Sequence, residues 1–331
     1  MYILCVIIFM SCITAAVKIP RQAEPQEAQP SPLETVIRKV KLNSPAIEKF
    51  FDYDKTDGLT VKTILAAIRH ETGKAEFFRV RYDLGKVWTD SSGAFVVPFT
   101  VRDLDNAIIA EDKLMWEPKN DASGILLSFD DYYRNIWEQY FNLFDRYKAR
   151  VTFFVQGTYN PFYNDVQKRG HEVGYHTLSH LNLSKISREA FYTETVSQVK
   201  NFRNAGVPLS SFAYPYGLHE SWMNEELLKT FKIIRGFNTG FQIYKRAAIK
   251  DGFIISKSID NLYFRQDDDF RAAIDLMLRT VKFLEQDLVL PISSHTISDN
   301  TRWGIKPERL EYLLQSAGKL RLNFYRYSDF F

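Results

Sequence analysis

Cysteine is almost missing from this 331-residue chain: there are two, Cys5 and Cys12, both in the first sixteen residues. A disulfide-stapled scaffold and a cysteine-ligated metal centre are therefore excluded for the rest of the chain. Net charge is also scant, at +3 from 43 basic and 40 acidic residues, and no long basic run occurs. The electrostatic footprint of a nucleic-acid binder is absent. Long apolar runs are missing too. The longest, "MYILCVIIFMSCITAA" (1–16), is uncharged but too short to span a bilayer comfortably, and it has the character of a signal-peptide core. Thr14 and Ala16 supply small residues for cleavage after position 16, which would leave a mature protein without thiols or a membrane span, exported to the cell envelope or beyond. A lesser reading makes Cys12 a lipidated terminus. Histidine is scarce, with six residues, yet three of them fall within "GHEVGYHTLSH" (170–180).

What is present is an ordinary soluble composition, 45% hydrophobic and 25% charged, with a generous 15% of aromatic residues. Residues 17–33, rich in Pro, Gln and Glu, read as a flexible linker. From 34 to 121 the pattern predicts a mixed α+β extension. Ser44-Pro45 reads as a helix start, and "TVKTILAAIRH" (60–70) as a helix with apolar residues at 61, 64, 65 and 68, with His70 a solvated residue near its end. "FFRVRY" and "GAFVVPFTV" read as strands.

After Asp121 the texture changes to short apolar strands alternating with helix-length segments. "ILLSFDD", "ARVTFFVQG", "HEVGYH", "SFAYPYG", "KIIRGFN", "GFIISKSID", "LVLPISSH" and "RLNFYRY" predict seven or eight βα units around a closed parallel barrel over 122–331. Working residues in such a barrel sit at the C-terminal strand ends. That rule selects Asp130 and Asp131, His176, Tyr214 to Gly217, and His295. One Asp with His176 and His180 makes an oxygen-and-nitrogen set suited to Zn²⁺ or a similar divalent metal with open positions. The pair is not the HExxH of metalloproteases, because position 177 is Thr and the segment starts at a strand end.

The ordered set resembles the polysaccharide deacetylases of the NodB-homology type, carbohydrate esterase family 4. "SFDD" resembles the first motif of that family with Ser128 in place of Thr, "HTLSH" the second, "FAYPYG" the third, and "SSH" the late motif ending in the catalytic acid, with Ser293 in place of Leu. The resemblance implies a distorted (β/α)7–8 barrel. It implies Asp130 as base and Asp131, His176 and His180 as ligands of one divalent metal, Zn with Co, Ni or Mn as alternatives. The Tyr216 backbone N–H would serve the oxyanion and His295 would be the acid. The implied reaction is hydrolytic N-deacetylation of an N-acetylated glycan outside the cytoplasm. Hydrolysis of another non-peptide C–N bond, or an inactive glycan-binding protein, are the alternatives, and the oligomeric state is open.

Two departures accompany the resemblance. Ala213 stands where many members have an arginine paired with the catalytic aspartate, and the fourth motif is reduced to "SIDNLYF". Lys257, near the end of the sixth strand, is the candidate replacement cation, preferred over Arg235. His171 reads as a packed residue at the barrel base and His219 as a loop residue. Tyr133, Tyr159, Trp222 and Trp303 are candidate sugar platforms, with core packing the blander role.

Overall fold

The computed structural model describes residues 31–42, 61–69, 75–116, 121–238, 240–284 and 286–331. The expected signal segment with both cysteines, the start at Ser44-Pro45, and His70 lie outside them. The first described element is the helix Pro32–Leu42, which begins inside the expected linker. Its start is fixed by reciprocal capping: the Ser31 N–H donates to Glu34 Oε2 at 2.8 Å and the Glu34 N–H to Ser31 Oγ at 3.2 Å.

An antiparallel sheet follows, made of β1 (Val61–Arg69), β2 (Ala75–Asp83), β3 (Trp88–Thr89), β4 (Phe95–Arg102) and β5 (Ile108–Trp116). β1 corrects the helix expected at 60–70. The run Ile64 to Ile68 is apolar at both odd and even positions, so helical and extended readings share it. Pairing along all of β2, from Val61 opposite Asp83 to Arg69 opposite Ala75, decides the outcome. On the inner face Phe78, Val80, Tyr82, Phe95, Val97, Phe99 and Val101 are buried. This face packs against the helix Asp267–Phe283, where the Phe283 ring meets Phe95 and Trp116 edge-on at 5.4 and 6.2 Å. A nearly buried Lys282–Asp121 ion pair at 2.8 Å ties the same helix to the start of the barrel segment.

The second unit is a closed parallel barrel. Its strands are β6 (Gly124–Asp131), β7 (Thr152–Val155), β8 (Glu172–Tyr175), β9 (Ser211–Ala213), β10 (Ile233–Asn238), then, past the short antiparallel β11 (Tyr244–Lys245), β12 (Phe253–Ser258) and β13 (Leu288–Ser294). Closure comes from β13 on β6, in register from Val289 opposite Gly124 to Ser294 opposite Phe129. Seven strands therefore close the ring. β14 (Thr296–Ile297) and β15 (Gly304–Ile305) form a small ladder above it. The eighth expected strand survives only as β16 (Asn323–Phe324), which pairs with Gly124 and Ile125 at the foot of β6. It fits there because β7 joins β6 only from Ser128 onward.

Strand alternation explains the interior. Leu126, Phe154, Ala213, Ile233, Ile254 and Val289 form one buried cluster with Tyr325 and Tyr327. The same parity continues upward into Asp130, His176, Arg235 and Ser256. Gly174 is required at its level, since a Cβ there would lie 2.5 Å from the Phe154 ring and 2.7 Å from Ser211 Oγ. Outside the barrel, helices cover apolar strand faces. In Asp267–Phe283 the residues Phe270, Ile274, Met277, Leu278 and Val281 make the buried stripe, and three aspartates occupy the first turn, where they suit the helix dipole. Among the described residues, no helix is long and apolar enough to cross a membrane.

Candidate active site

The C-terminal strand ends open into a cavity of about 310 Å³ lined by Asp130, Asp131, His176, His180, His295 and the aromatic residues Tyr133, Tyr214, Tyr216, Phe237 and Trp303. Asp130 follows the inward parity of β6. Asp131 would point outward, but its backbone turns to φ 83 and brings the carboxylate to the mouth. Oδ1 of Asp131 then lies 3.5 Å from His176 Nε2 and 3.3 Å from His180 Nε2. Ligand atoms of the three side chains fall within 4.8 Å of one another.

Both histidines are held for this arrangement. His176 Nδ1 lies 2.8 Å from the Ala213 carbonyl, which makes Nδ1 the protonated nitrogen and turns Nε2 to the cavity. The loop to His180 is gripped by Glu194. One carboxylate oxygen accepts from the Ser179 N–H at 2.8 Å, the other from Ser179 Oγ at 2.5 Å, and the Glu194 carbonyl accepts from the Leu178 N–H. Thr177 and His180 sit at φ 70 and 61, with the His180 N–H donating to Thr177 Oγ1 at 2.9 Å. With Asp131 and Tyr216, they make four of the eight non-glycine residues with positive φ among the described residues. Such conformations cost of order 1–3 kcal/mol each, and cluster where surrounding structure enforces them for a purpose.

The electrostatics point the same way. Burial opposes the charge on Asp131, but His176, with His295 and His180 behind it, brings its carboxyl down to about 2. Burial and the neighbouring His176 lower His180, which favours the neutral form a ligand needs. Oδ1 of both Asp130 and Asp131 is buried without a hydrogen-bond partner. The unsatisfied Oδ1 of Asp131 beside two imidazole nitrogens fits a divalent cation in both donor type and number.

Arg235, not Lys257, is the cation at Asp130. Its Nη2 lies 2.5 Å from Asp130 Oδ2 in an ion pair with essentially no solvent exposure, and its Nη1 donates to Ser256 Oγ at 2.9 Å. Lys257 fails for a reason of parity: Ile254, Ser256 and Ser258 are the buried residues of β12. Lys257 alternates with them and extends over the Tyr263 ring at 5.5 Å. Arg235 pairs in register with Ala213 on the adjacent strand, so the guanidinium occupies the same level one strand over from the expected position.

Asp260 is a second residue that sequence reasoning passed over. Fully buried, it accepts from Ser294 Oγ at 2.7 Å and Ser258 Oγ at 2.9 Å, and lies 2.8 Å from His295 Nδ1. Burial works against a charged His295, but Asp260, aided by Asp130 and Asp131, outweighs it and lifts the imidazole to about 9. The strand-end rule applied to "SIDNLYF" would have found it. Tyr216 projects its ring against His180 at 4.8 Å. Its backbone N–H, at φ 59, is outside the turn's hydrogen bonds, which run from Gly217 to Tyr214 and from Leu218 to Pro215. Of the four candidate platforms, Tyr133 and Trp303 line the cavity. Tyr159 packs on Tyr163 and Phe202, and Trp222 on Phe191. His219 stacks on Tyr214, and His171 is buried at the barrel base.

Residues 117–231 match the family model described as polysaccharide deacetylase. Over those residues the chain is similar to the polysaccharide deacetylases. Over 122 residues the chain is 33% identical to a peptidoglycan-N-acetylglucosamine deacetylase of Bacillus cereus, covering 35% of this chain and 55% of that protein. The chain thus spans about half the length of that curated relative. Among solved structures, the chain is similar to the peptidoglycan deacetylase PdaC from Bacillus subtilis, at 17% identity and a TM-score of 0.44 over 64% of this chain and 90% of that one. It is similar also to the chitin deacetylase of Colletotrichum lindemuthianum, at 14% identity and a TM-score of 0.44 over the same shares.

Proposed function

We propose that this protein hydrolyses the N-acetyl group of an N-acetylated polysaccharide, of peptidoglycan or chitin type, outside the cytoplasm. The observation that carries the reading is the buried, unpartnered Oδ1 of Asp131 beside His176 and His180, with an unpartnered Asp130 Oδ1 in the same cavity, in a chain similar to the polysaccharide deacetylases. Asp131, His176 and His180 would hold one divalent ion, with Zn²⁺ the best match to an N₂O donor set and Co, Ni or Mn the alternatives. When bound, such an ion polarises an acyl carbonyl and acidifies water.

The chain's own residues supply the proton transfers. Asp130, with Oδ2 held by Arg235 and Oδ1 unengaged, takes the proton of the attacking water as its oxygen bonds to the acetyl carbon. The Tyr216 N–H donates to the oxygen that gains charge. His295, protonated against Asp260, gives its proton to the sugar nitrogen as the C–N bond breaks, yielding acetate and a free amine. The segment 1–16 and the resemblance to cell-wall enzymes support action outside the cytoplasm.

Incubating the purified protein with Zn²⁺ and peptidoglycan, chitin oligomers or poly-N-acetylglucosamine tests this. Acetate and new primary amine should appear in equal amounts from at least one substrate. No acetate from any of them with Zn, Co, Ni or Mn would reject the reading.

A further inference from the structure

Asp130 presents to the cavity an oxygen that no donor among the described residues holds. Its Oδ1 is buried without a partner, so the hydrogen bonding that orients the carboxylate is the one made by Oδ2 to Arg235. The guanidinium is itself held at few points. Its Nε is also buried without a partner among the described residues, and its face lies over the Phe154 ring at 5.0 Å. The remaining hydrogen bond runs from Nη1 to Ser256 Oγ at 2.9 Å. A guanidinium tied only to one carboxylate oxygen can pivot about that bond, and a second fixed point stops it.

The direction of the next bond follows from what each group can do. Arg235 only donates, so Ser256 Oγ accepts there and must give its own proton elsewhere. Two acceptors are within reach, Ser293 Oγ at 2.9 Å and the Gly236 carbonyl at 3.4 Å. The shorter contact makes Ser293 the acceptor.

Strand order brings the set together. Ser293, Ser256 and Arg235 stand on the neighbouring strands β13, β12 and β10, and they share the inward parity of Val289, Ile254 and Ile233. All three are buried, so water does not compete for the guanidinium. The bonds therefore run across three strands and then over the barrel to Asp130 on β6.

We propose that Ser256 and Ser293 are positioning residues for Asp130: a pair of hydroxyls that locks the Arg235 guanidinium and through it aims Oδ1 at the water to be activated. A group displaced by about 1 Å from its working position can cost roughly 100-fold in rate, so what holds the holder matters. The departures at Ala213 and Ser293 then belong to one rearrangement, a guanidinium moved one strand over and a hydroxyl that helps to place it. The effect on rate rests on the deacetylase reading above, whereas the lock is a property of the folded chain.

NMR of the Arg235 Nη nitrogens, assigned by their loss in Arg235→Lys, reads the lock without turnover. In zinc-loaded wild type, Nη1 and Nη2 should give separate resonances, because a guanidinium bonded at both ends turns slowly. In Ser256→Ala they should merge, and Ser256→Thr, which keeps the hydroxyl, should keep them apart. With whichever of the three glycans releases acetate, Ser256→Ala should lower kcat roughly tenfold while KM and bound zinc stay the same. Ser256→Thr should recover most of that loss, and Ser293→Ala should show a smaller one in the same direction. In Arg235→Met there is no guanidinium to place, and adding Ser256→Ala should lower kcat no further. If Ser256→Ala does not fold, Ser293→Ala carries both readouts. Separate Nη resonances in both alanine variants, or an unchanged kcat in both, would overturn the proposal. Merged resonances in Ser256→Ala, with no acetate released by wild type from any glycan, would instead reject the deacetylase reading and leave the lock standing.

Discussion

The base and the mouth of the barrel each bury carboxylate and imidazole, and treat them in opposite ways. At the base, burial pushes the Glu172 carboxyl up, and four donors offset this: Ser211 Oγ and the Ser328 N–H at 2.7 Å, Thr152 Oγ1 at 3.3 Å and Ser210 Oγ at 3.4 Å. At the mouth, Asp130 and Asp131 each keep a buried oxygen with no donor. His171 at the base sits among Phe141, Phe144 and Phe153, and burial drives it down to about 4. At the mouth His295 is lifted to about 9. The Glu172 carboxylate, with its donors in place, contributes stability, whereas the carboxylate oxygens left without donors at the mouth are poised for something outside the chain.

The largest effect that separates the ends should come from the base of the reaction. Asp130→Asn is expected to lower the deacetylation rate by roughly 10² to 10⁴ while metal is retained, measured as acetate release alongside elemental analysis. Next is Arg235→Met, which strands a buried carboxylate; losing one partner of such a pair costs about 3–5 kcal/mol of stability, readable by denaturant unfolding, and activity should fall with it. Ala213→Arg in that background should restore part of both, because positions 213 and 235 are in register. A double variant no better than Arg235→Met would remove the claim that the guanidinium has moved one strand over.

How much of this is legible in the sequence depends on the kind of residue. The barrel strands are readable because each is a short apolar run between helix-length segments, and the Asp130 to His295 set follows from strand ends alone. Arg235 is harder to read, because only parity counted from the buried Ile233 turns its side chain inward. "SKS" in β12 contains the needed signal, small buried serines alternating with a lysine. Asp260 was hidden by a weak motif, and Glu194 by distance: nothing local marks a helix carboxylate that reaches back to Ser179. The β1 strand was lost to a run apolar at both parities.

A smaller effect sharpens the contrast between the two histidines. His295 has a folded value raised to about 9, so its protonated form, and the activity that needs it, persists through neutrality and is lost as pH rises through 9. Asp260→Asn should move that alkaline limb down toward 6.5, in a pH–rate profile with metal saturating. His171 has the opposite sign. Its folded value is depressed from 6.5 to about 4, so the unfolded chain binds the proton first and stability falls as pH drops through this window. The loss from this one group is roughly 3 kcal/mol near pH 4. His171→Phe should flatten the corresponding slope in chemical denaturation while leaving activity at pH 7 unchanged.

Titration of Zn²⁺ into metal-free protein tests the contrast most directly, using wild type, His180→Ala at the mouth and Glu172→Gln at the base. The account predicts one tightly bound ion per chain in wild type and in Glu172→Gln, and none of comparable affinity in a folded His180→Ala. Equal zinc binding by all three proteins would mean that the unpartnered oxygens at the mouth are not a metal site.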